Sequence, residues 1–275
     1  MLVTTYKLTE MKQVLEIGNQ LCQHWFRGHA TVCNELTPKI YRAKYDQMWK
    51  DQWFECQMIR DFIRLAVPMM IDPPELHQRI RWIFLMQHHG APTKLLDWTE
   101  NVLVGLYFAV RDEVEKDGEL WAMRAEALDA KQGLDSVPCA DEAEAKKFLK
   151  YFGKEPCKDL EGPAADKVAY PLAIKPAMHF PRMVSQLSTF TIHPRSTRRG
   201  TTIPNLLTDP KDLVRYIIPS DRKSMLRTSL EVLGISERTL FPDLDALSRS
   251  LIREYEKHLS SKLPNPPTCG GPCAA

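Results

Sequence analysis

Three stretches of this 275-residue chain concentrate side chains that can do chemistry. The first is Trp25-Phe26-Arg27-Gly28-His29. An Arg at the end of a strand, followed by Gly, can aim its planar fork into a cleft while the backbone turns away. Bidentate binding of phosphate is the task for which Arg is best suited. Pairing with a core carboxylate is the alternative use of Arg27. The second stretch, Gln87-His88-His89-Gly90-Ala91-Pro92-Thr93-Lys94-Leu95-Leu96-Asp97-Trp98-Thr99, holds two imidazoles, two hydroxyls, a carboxylate and an indole. Near pH 7 a His serves as acid, base or neutral donor, and Trp can stack on a flat heterocycle. Asp97 can orient a His or bind a ribose hydroxyl. The plainer roles are Thr99 as a helix cap, Asp97 as a tie within its loop and His88 as a buried neutral ring. Neighbouring His88 and His89 diverge by about 100° on a regular helix, so both do not serve one site from it. The third stretch, Phe180 to His193, places Arg182 and Gln186 ahead of a strand with alternating Phe190 and Ile192. Gln186 reads equally as a ligand contact and as a buried hydrogen-bonding strut.

Other chemistries find no pattern. No third ligand stands at a sensible spacing from His88 and His89, so no metal is expected, and phosphate-loop, G-x-S-x-G and H-E-x-x-H motifs do not occur. The seven Cys form no C-x-x-C pair. Cys269 and Cys273 lie in a tail with no His, which argues against zinc, and Cys22 and Cys33 read as small buried apolar groups. The odd Cys count, with no apolar signal core in Met1 to Glu10, predicts a reduced, cytoplasmic compartment. The longest apolar run, Val102 to Val110, falls far short of the roughly 20 residues of a membrane span, so no membrane partner is expected.

The elements that must position these residues follow from periodicity. Leu8 to Leu21 predicts an amphipathic helix, and Gln23 to Gly28 a strand. Asp46 to Val67 reads as a long helix, and Pro73-Pro74 open another that runs to Gly90. A loop is expected from Ala91 to Trp98, then a buried helix from Glu100 to Asp112 with Thr99 as its N-cap. Strands follow at 119–124, 170–175, 187–193 and 213–218. Ser220 and Ser236 are candidate caps for the last helices, the final one spanning 243–259. Helices come first and short strands later, without βαβ alternation, which predicts an α+β fold with helices packed on a small, mostly antiparallel or mixed sheet. One domain over 1–264 is expected, with a charged helical insertion near 126–166 and a disordered tail at 265–275.

Formal charge is only +2, from 37 basic and 35 acidic residues. Its distribution is uneven. Residues 112–166 carry a net −7 and residues 167–227 a net +8. The basic block contains Arg195, Arg198, Arg199, Lys211, Arg215, Arg222, Lys223 and Arg227, which could attract a phosphate-bearing partner. A non-catalytic nucleic-acid or nucleotide binding module is therefore one reading.

Phe26-Arg27-Gly28, the Gln87 to Thr99 stretch with Leu106-Tyr107-Phe108-Ala109, Arg182 to Gln186 with Phe190-Thr191, and Leu240-Phe241-Pro242-Asp243-Leu244 together resemble the FRG domain family, named for its Phe-Arg-Gly tripeptide. The resemblance spans about residues 20–250. Lys94 stands where the family usually has Arg, and Leu187-Ser188 where Gln-Gly is common. A more distant likeness links the pattern to ADP-ribosyltransferase folds, which bind NAD. That likeness implies an enzyme transferring ADP-ribose to a protein or nucleic-acid target, as a toxin or phage-defence effector. It implies Arg27 and Gly28 at the diphosphate or ribose, with His88, His89, Trp98 and Thr99 also around the cofactor. It further implies Thr93, Asp97 and Gln186 in catalytic positions. Many active members carry a Glu where Gln186 stands, so a carboxylate such as Asp97 or Glu55 would have to substitute.

Overall fold

The computed structural model describes residues 3–33, 36–45, 53–140, 170–194 and 201–262. The predicted insertion at 126–166 lies largely outside these residues, as do the tail at 265–275 and Arg195, Arg198 and Arg199. The elements in chain order are β1 (Thr5–Lys7), α1 (Met11–Gln20), β2 (His24–His29), α2 (Trp53–Ala66), α3 (Arg79–His88), β3 (Leu95–Thr99) and α4 (Val102–Val110). They continue with β4 (Gly118–Arg124), α5 (Ala125–Ala130), β5 (Leu172–Ile174), α6 (Pro181–Ser185), β6 (Ser188–Ile192) and α7 (Ile203–Leu206). Then come β7 (Leu213–Ile218), α8 (Ser220–Val232), α9 (Glu237–Leu240) and α10 (Leu244–Lys262).

The strands form one seven-stranded mixed sheet in the order β1-β7-β4-β2-β3-β6-β5 among the described residues. Only the edge pair β1–β7 is parallel. The fold is α+β. Period-2 alternation divides β2 and β4 between two cores. Phe26, Leu120 and Ala122 face α1, α4 and α8, whereas Trp25, Trp121 and Met123 pack with Leu96, Trp98 and Leu128. A third cluster joins α2 and α3 to Leu95, Leu172, Phe190 and Ile192.

Helix α4, Val-Leu-Val-Gly-Leu-Tyr-Phe-Ala-Val, is apolar all round, as a helix buried on most sides must be. It lies close against β2 because two glycines leave room. A Cβ added to Gly28 would stand 2.0 Å from the Gly105 carbonyl oxygen and 2.5 Å from the Ala109 nitrogen. One added to Gly105 would meet Phe26 Cβ and Leu120 Cδ1, both at 2.9 Å.

Several expectations are corrected. The loop foreseen from Ala91 to Trp98 contains β3, fully paired with β6 from Leu95↔Ile192 to Thr99↔Ser188. Leu95, Leu96 and Trp98 are buried from both faces, so the strand lacks a clean alternation. Asn101, not Thr99, caps α4, its side chain accepting from the Leu103 N–H at 2.8 Å. The helix foreseen from Pro73 begins only at Arg79, because 73–78 form turns in which Gln78 Oε1 accepts from the Glu75 N–H and the Glu75 carbonyl accepts from the Trp82 indole. Pro219 rather than Ser220 occupies the cap of α8, whereas Ser236 does cap α9. Cys22 and Cys33 are exposed rather than buried.

Candidate functional site

Strands β2 and β3 are neighbours but share only one register pair, Phe26↔Thr99. Past that point they diverge, and a cavity of about 230 Å³ opens in the gap. Six of the expected site residues line it: Arg27 and Gly28 from β2, Asp97, Trp98 and Thr99 from β3, and Gln186 after α6. Gln87, Phe108 and Arg182 complete the parts that matter here. Asp97 is the one carboxylate in that lining.

Arg27 bridges the two strands where they diverge. Its Nη1 donates to the Asp97 carbonyl at 2.6 Å, supplying the donor that a paired strand would have offered. Its Nη1 also lies 3.7 Å from Asp97 Oδ2, and its Nε donates to His29 Nε2 at 2.8 Å. Burial lowers the pKa of this guanidinium, and the nearby Asp97 partly restores it. Arg182 lies over the Phe241 ring, its Cζ 4.4 Å from the centroid, a cation–π contact that holds the guanidinium at the cavity. Burial lowers its pKa also, with Asp97 opposing. Two guanidiniums thus face one cavity with a single carboxylate between them.

Asp97 is itself positioned from behind. Gln87 Nε2 donates to Asp97 Oδ2 at 2.7 Å, and Gln87 Oε1 accepts from the Thr93 hydroxyl. Thr93 also accepts from the Leu95 N–H at 3.1 Å, is 3% exposed, and lies outside the cavity lining. It reaches the site only through Gln87. Gln186 lines the cavity, but its amide donates to the Leu240 carbonyl at 3.0 Å, so it acts as a strut to the Leu240–Leu244 stretch. Ser185 Oγ donates to the same carbonyl. Thr99 Oγ1 donates to the Gln186 carbonyl at 2.7 Å and so joins β3 to the turn before β6. In that turn Leu187 has φ +44, a left-handed conformation, despite its side chain. The Trp98 indole donates to Thr191 Oγ1, which bonds to buried His193.

The two His of the second stretch lie elsewhere. His88 packs on Phe180 and edge-on against His89, and burial, Arg182 and His89 lower its pKa. Neither lines the cavity. Glu55 pairs with buried Lys94 at 3.2 Å, away from the cleft, and leaves Asp97 as the carboxylate in place. Gln87 and Arg182 also line the cavity, and both stand inside the second and third chemistry-bearing stretches of the sequence. The available signal was the helix end at Gly90 for Gln87 and the Pro181 start for Arg182, each of which turns its long polar side chain toward β3.

On the β4 side, His29 and Glu119 are register partners. Glu119 Oε1 accepts from His29 Nδ1 at 2.8 Å and from Cys33 Sγ at 3.2 Å. Burial pushes this carboxyl up, but hydrogen bonds from His29 and Cys33 and the nearby Trp121 indole outweigh it and hold it at about 2. The Trp121 N–H approaches without completing hydrogen-bond geometry. Within the basic block, Lys223 is buried and donates to the carbonyls of Ala30, Asp112 and Glu113, while Arg227 donates to the Arg111 carbonyl. Arg215 lies over the Trp121 ring and 3.7 Å from Glu119 Oε2. These three cations are thus engaged inside the protein, whereas Lys211 and Arg222 of the same block are exposed. Among the described residues no helix is long and apolar enough to cross a membrane.

Residues 22–118 match the FRG domain family, a span that holds β2, α2, α3, β3 and α4 and therefore most of the cleft. The 180–244 segment that closes the cleft lies outside the match. No curated protein and no solved structure matches the chain, so the likeness to ADP-ribosyltransferase folds has no support from these comparisons.

Proposed function

We propose that the β2–β3 cleft binds NAD and that the protein transfers ADP-ribose to a macromolecular acceptor. The observation that supports this most is the convergence of Arg27 and Arg182, far apart in sequence, on one cavity whose lining has Asp97 as its single carboxylate. Two guanidinium forks suit the paired phosphates of a dinucleotide. The cavity is smaller than the roughly 300–1,000 Å³ of sites that enclose drug-sized ligands, so one nucleoside end fits inside and the remainder lies along the open mouth.

When bound, NAD supplies a ribose–nicotinamide bond whose breaking sends the electron pair to nicotinamide and leaves positive charge on the ribose carbon, which the acceptor's nucleophile then attacks with loss of its proton to water. In this reading Arg27 and Arg182 hold the diphosphate and Asp97 faces the developing positive charge. Gln87 and Thr93 keep Asp97 in one orientation, and the Gln186 strut anchors the stretch that carries Phe241. Positioning supplies the rest of the catalysis.

Calorimetric titration with NAD, joined to a nicotinamide-release assay, tests the reading. Binding is expected in the wild type, and loss of binding and release in Arg27→Ala and in Arg182→Ala, the second variant guarding against a folding defect in the first. Failure of the folded wild-type protein to bind NAD sinks the proposal.

A further inference from the structure

The residues Cys33, His29 and Glu119 form a cluster that lies apart from the cavity lining, at the end of β2. Their donor atoms lie within 4.8 Å of one another. His29 Nδ1 is 2.8 Å from Glu119 Oε1 and 3.0 Å from Cys33 Sγ, and the sulfur is 3.2 Å from the same carboxylate oxygen. We propose that His29, Cys33 and Glu119 bind a divalent metal ion of zinc type.

The donor set is one nitrogen, one sulfur and one oxygen, which zinc accepts and which hard ions such as magnesium and calcium do not favour. Bonds of roughly 2.0–2.3 Å in a tetrahedral arrangement place ligand atoms about 3.4–3.6 Å apart. The observed separations of 2.8, 3.0 and 3.2 Å are about 0.4–0.6 Å shorter, so the three groups must move apart by roughly half an ångström to admit the ion. Glu119 is fully buried and fixed by its place on β4, opposite His29. Its Oε2 accepts no hydrogen bond, although Arg215 stands 3.7 Å away. Cys33 is exposed, which gives the ion an entry path and leaves a fourth position to water. Charge balances within the site: a dication meets one carboxylate, one thiolate and a neutral imidazole. Binding expels the thiol proton to solvent.

The site also reaches the cleft. Arg27 Nε donates to His29 Nε2, so the ring proton sits on Nδ1, shared with Glu119. Ligation through Nδ1 moves that proton to Nε2, where it opposes the Arg27 N–H. The metal and the Arg27–His29 hydrogen bond therefore exclude each other, and loading the ion turns Arg27 away from His29.

Cobalt(II) titration of the reduced full-length chain tests the site without any activity assay. A thiolate-to-cobalt charge-transfer band saturating at one equivalent and displaced by zinc is expected. Cys33→Ser should abolish the band and weaken zinc binding by at least about 100-fold. Cys22→Ser, and a Cys269→Ser/Cys273→Ser double variant, should keep it. The Arg27 Nε–H resonance should shift on adding zinc to the wild type and stay in place in Cys33→Ser. The proposal is overturned if the folded, reduced chain shows no such band, if the band survives Cys33→Ser, or if the Arg27 signal ignores zinc.

Discussion

Replacing Gly28 by Ala tests why the tripeptide ends in glycine. The added Cβ would lie 2.0 Å from Gly105 O, 2.5 Å from Ala109 N and 3.0 Å from Phe108 C, against an ordinary contact of 3.4 Å or more. All three atoms are backbone atoms of α4, which cannot rotate aside as a side chain can. Relief requires β2 and α4 to separate by about 1.4 Å at their closest point. Overpacking with flexible neighbours costs about 1–3 kcal/mol, so a rigid neighbour places the cost at about 3 kcal/mol or more. At roughly 2–4 °C per kcal/mol for a chain above 150 residues, Tm should fall by about 6–12 °C. Gly90→Ala is the control. Gly90 has φ +76 with nothing within 4 Å of the added Cβ, so only backbone strain of about 1 kcal/mol is incurred. Urea denaturation of both variants separates the two costs. The same displacement carries Arg27 with it, and a shift near 1 Å should lower nicotinamide release about 100-fold. Equal stability of Gly28→Ala and Gly90→Ala would refute the close-approach explanation.

Three further outcomes are expected. Leu187→Gly should stabilise the protein by at most about 1 kcal/mol in urea denaturation, because Leu187 holds φ +44 with its side chain 41% exposed, and the remaining burial offsets part of the relieved strain. Asp129 is fully buried and accepts from the Ala173 N–H at 2.7 Å, yet burial pushes its pKa from 3.8 up to about 7. A carboxyl raised on folding favours the native state while protonated, so its contribution is complete below about pH 4 and is lost as pH rises to 7. Asp129→Asn keeps an acceptor for Ala173 and should flatten that decline, gaining at most about 4 kcal/mol on the wild type above pH 7 at 1.36 kcal/mol per unit; parallel stability curves for the two proteins from pH 4 to 8 would contradict it. Thr93→Val removes the hydroxyl that steadies Gln87 and should destabilise by about 1 kcal/mol while lowering kcat for nicotinamide release with KM nearly unchanged. An effect on KM alone would place Thr93 outside the chain that orients Asp97.

Much of the positional pattern was readable without coordinates. The short apolar runs at 213–218 and 119–124 located β7 and β4, the second directly after the Asp117-Gly118 turn signal, even though β4 is buried on both faces. The all-apolar run of α4 announced a buried helix. Phe26, Arg27 and Gly28 could be singled out by type. Their three separate duties, core packing, cavity lining and close approach to α4, needed the neighbours that only folding supplies. Leu95 to Thr99 was hidden because the run is short, carries the exposed Asp97 at its centre, and follows a Pro-Thr that suggests a loop. Pairing with β6 decided it.

The sequence by itself determined which residue types were available: two arginines, one carboxylate and a glycine at the end of a strand, and an α+β order of elements. Tertiary structure decided which of them meet. The single register pair between β2 and β3 opens the cavity, and it brings Arg27, Asp97 and Arg182 together while leaving His88, His89 and Thr93 outside its lining. The register of β2 against β4 sets His29 opposite Glu119, 90 positions away in the chain. Spacing along a chain reports distance only within one helix or strand. Across strands, the hydrogen-bond register sets it.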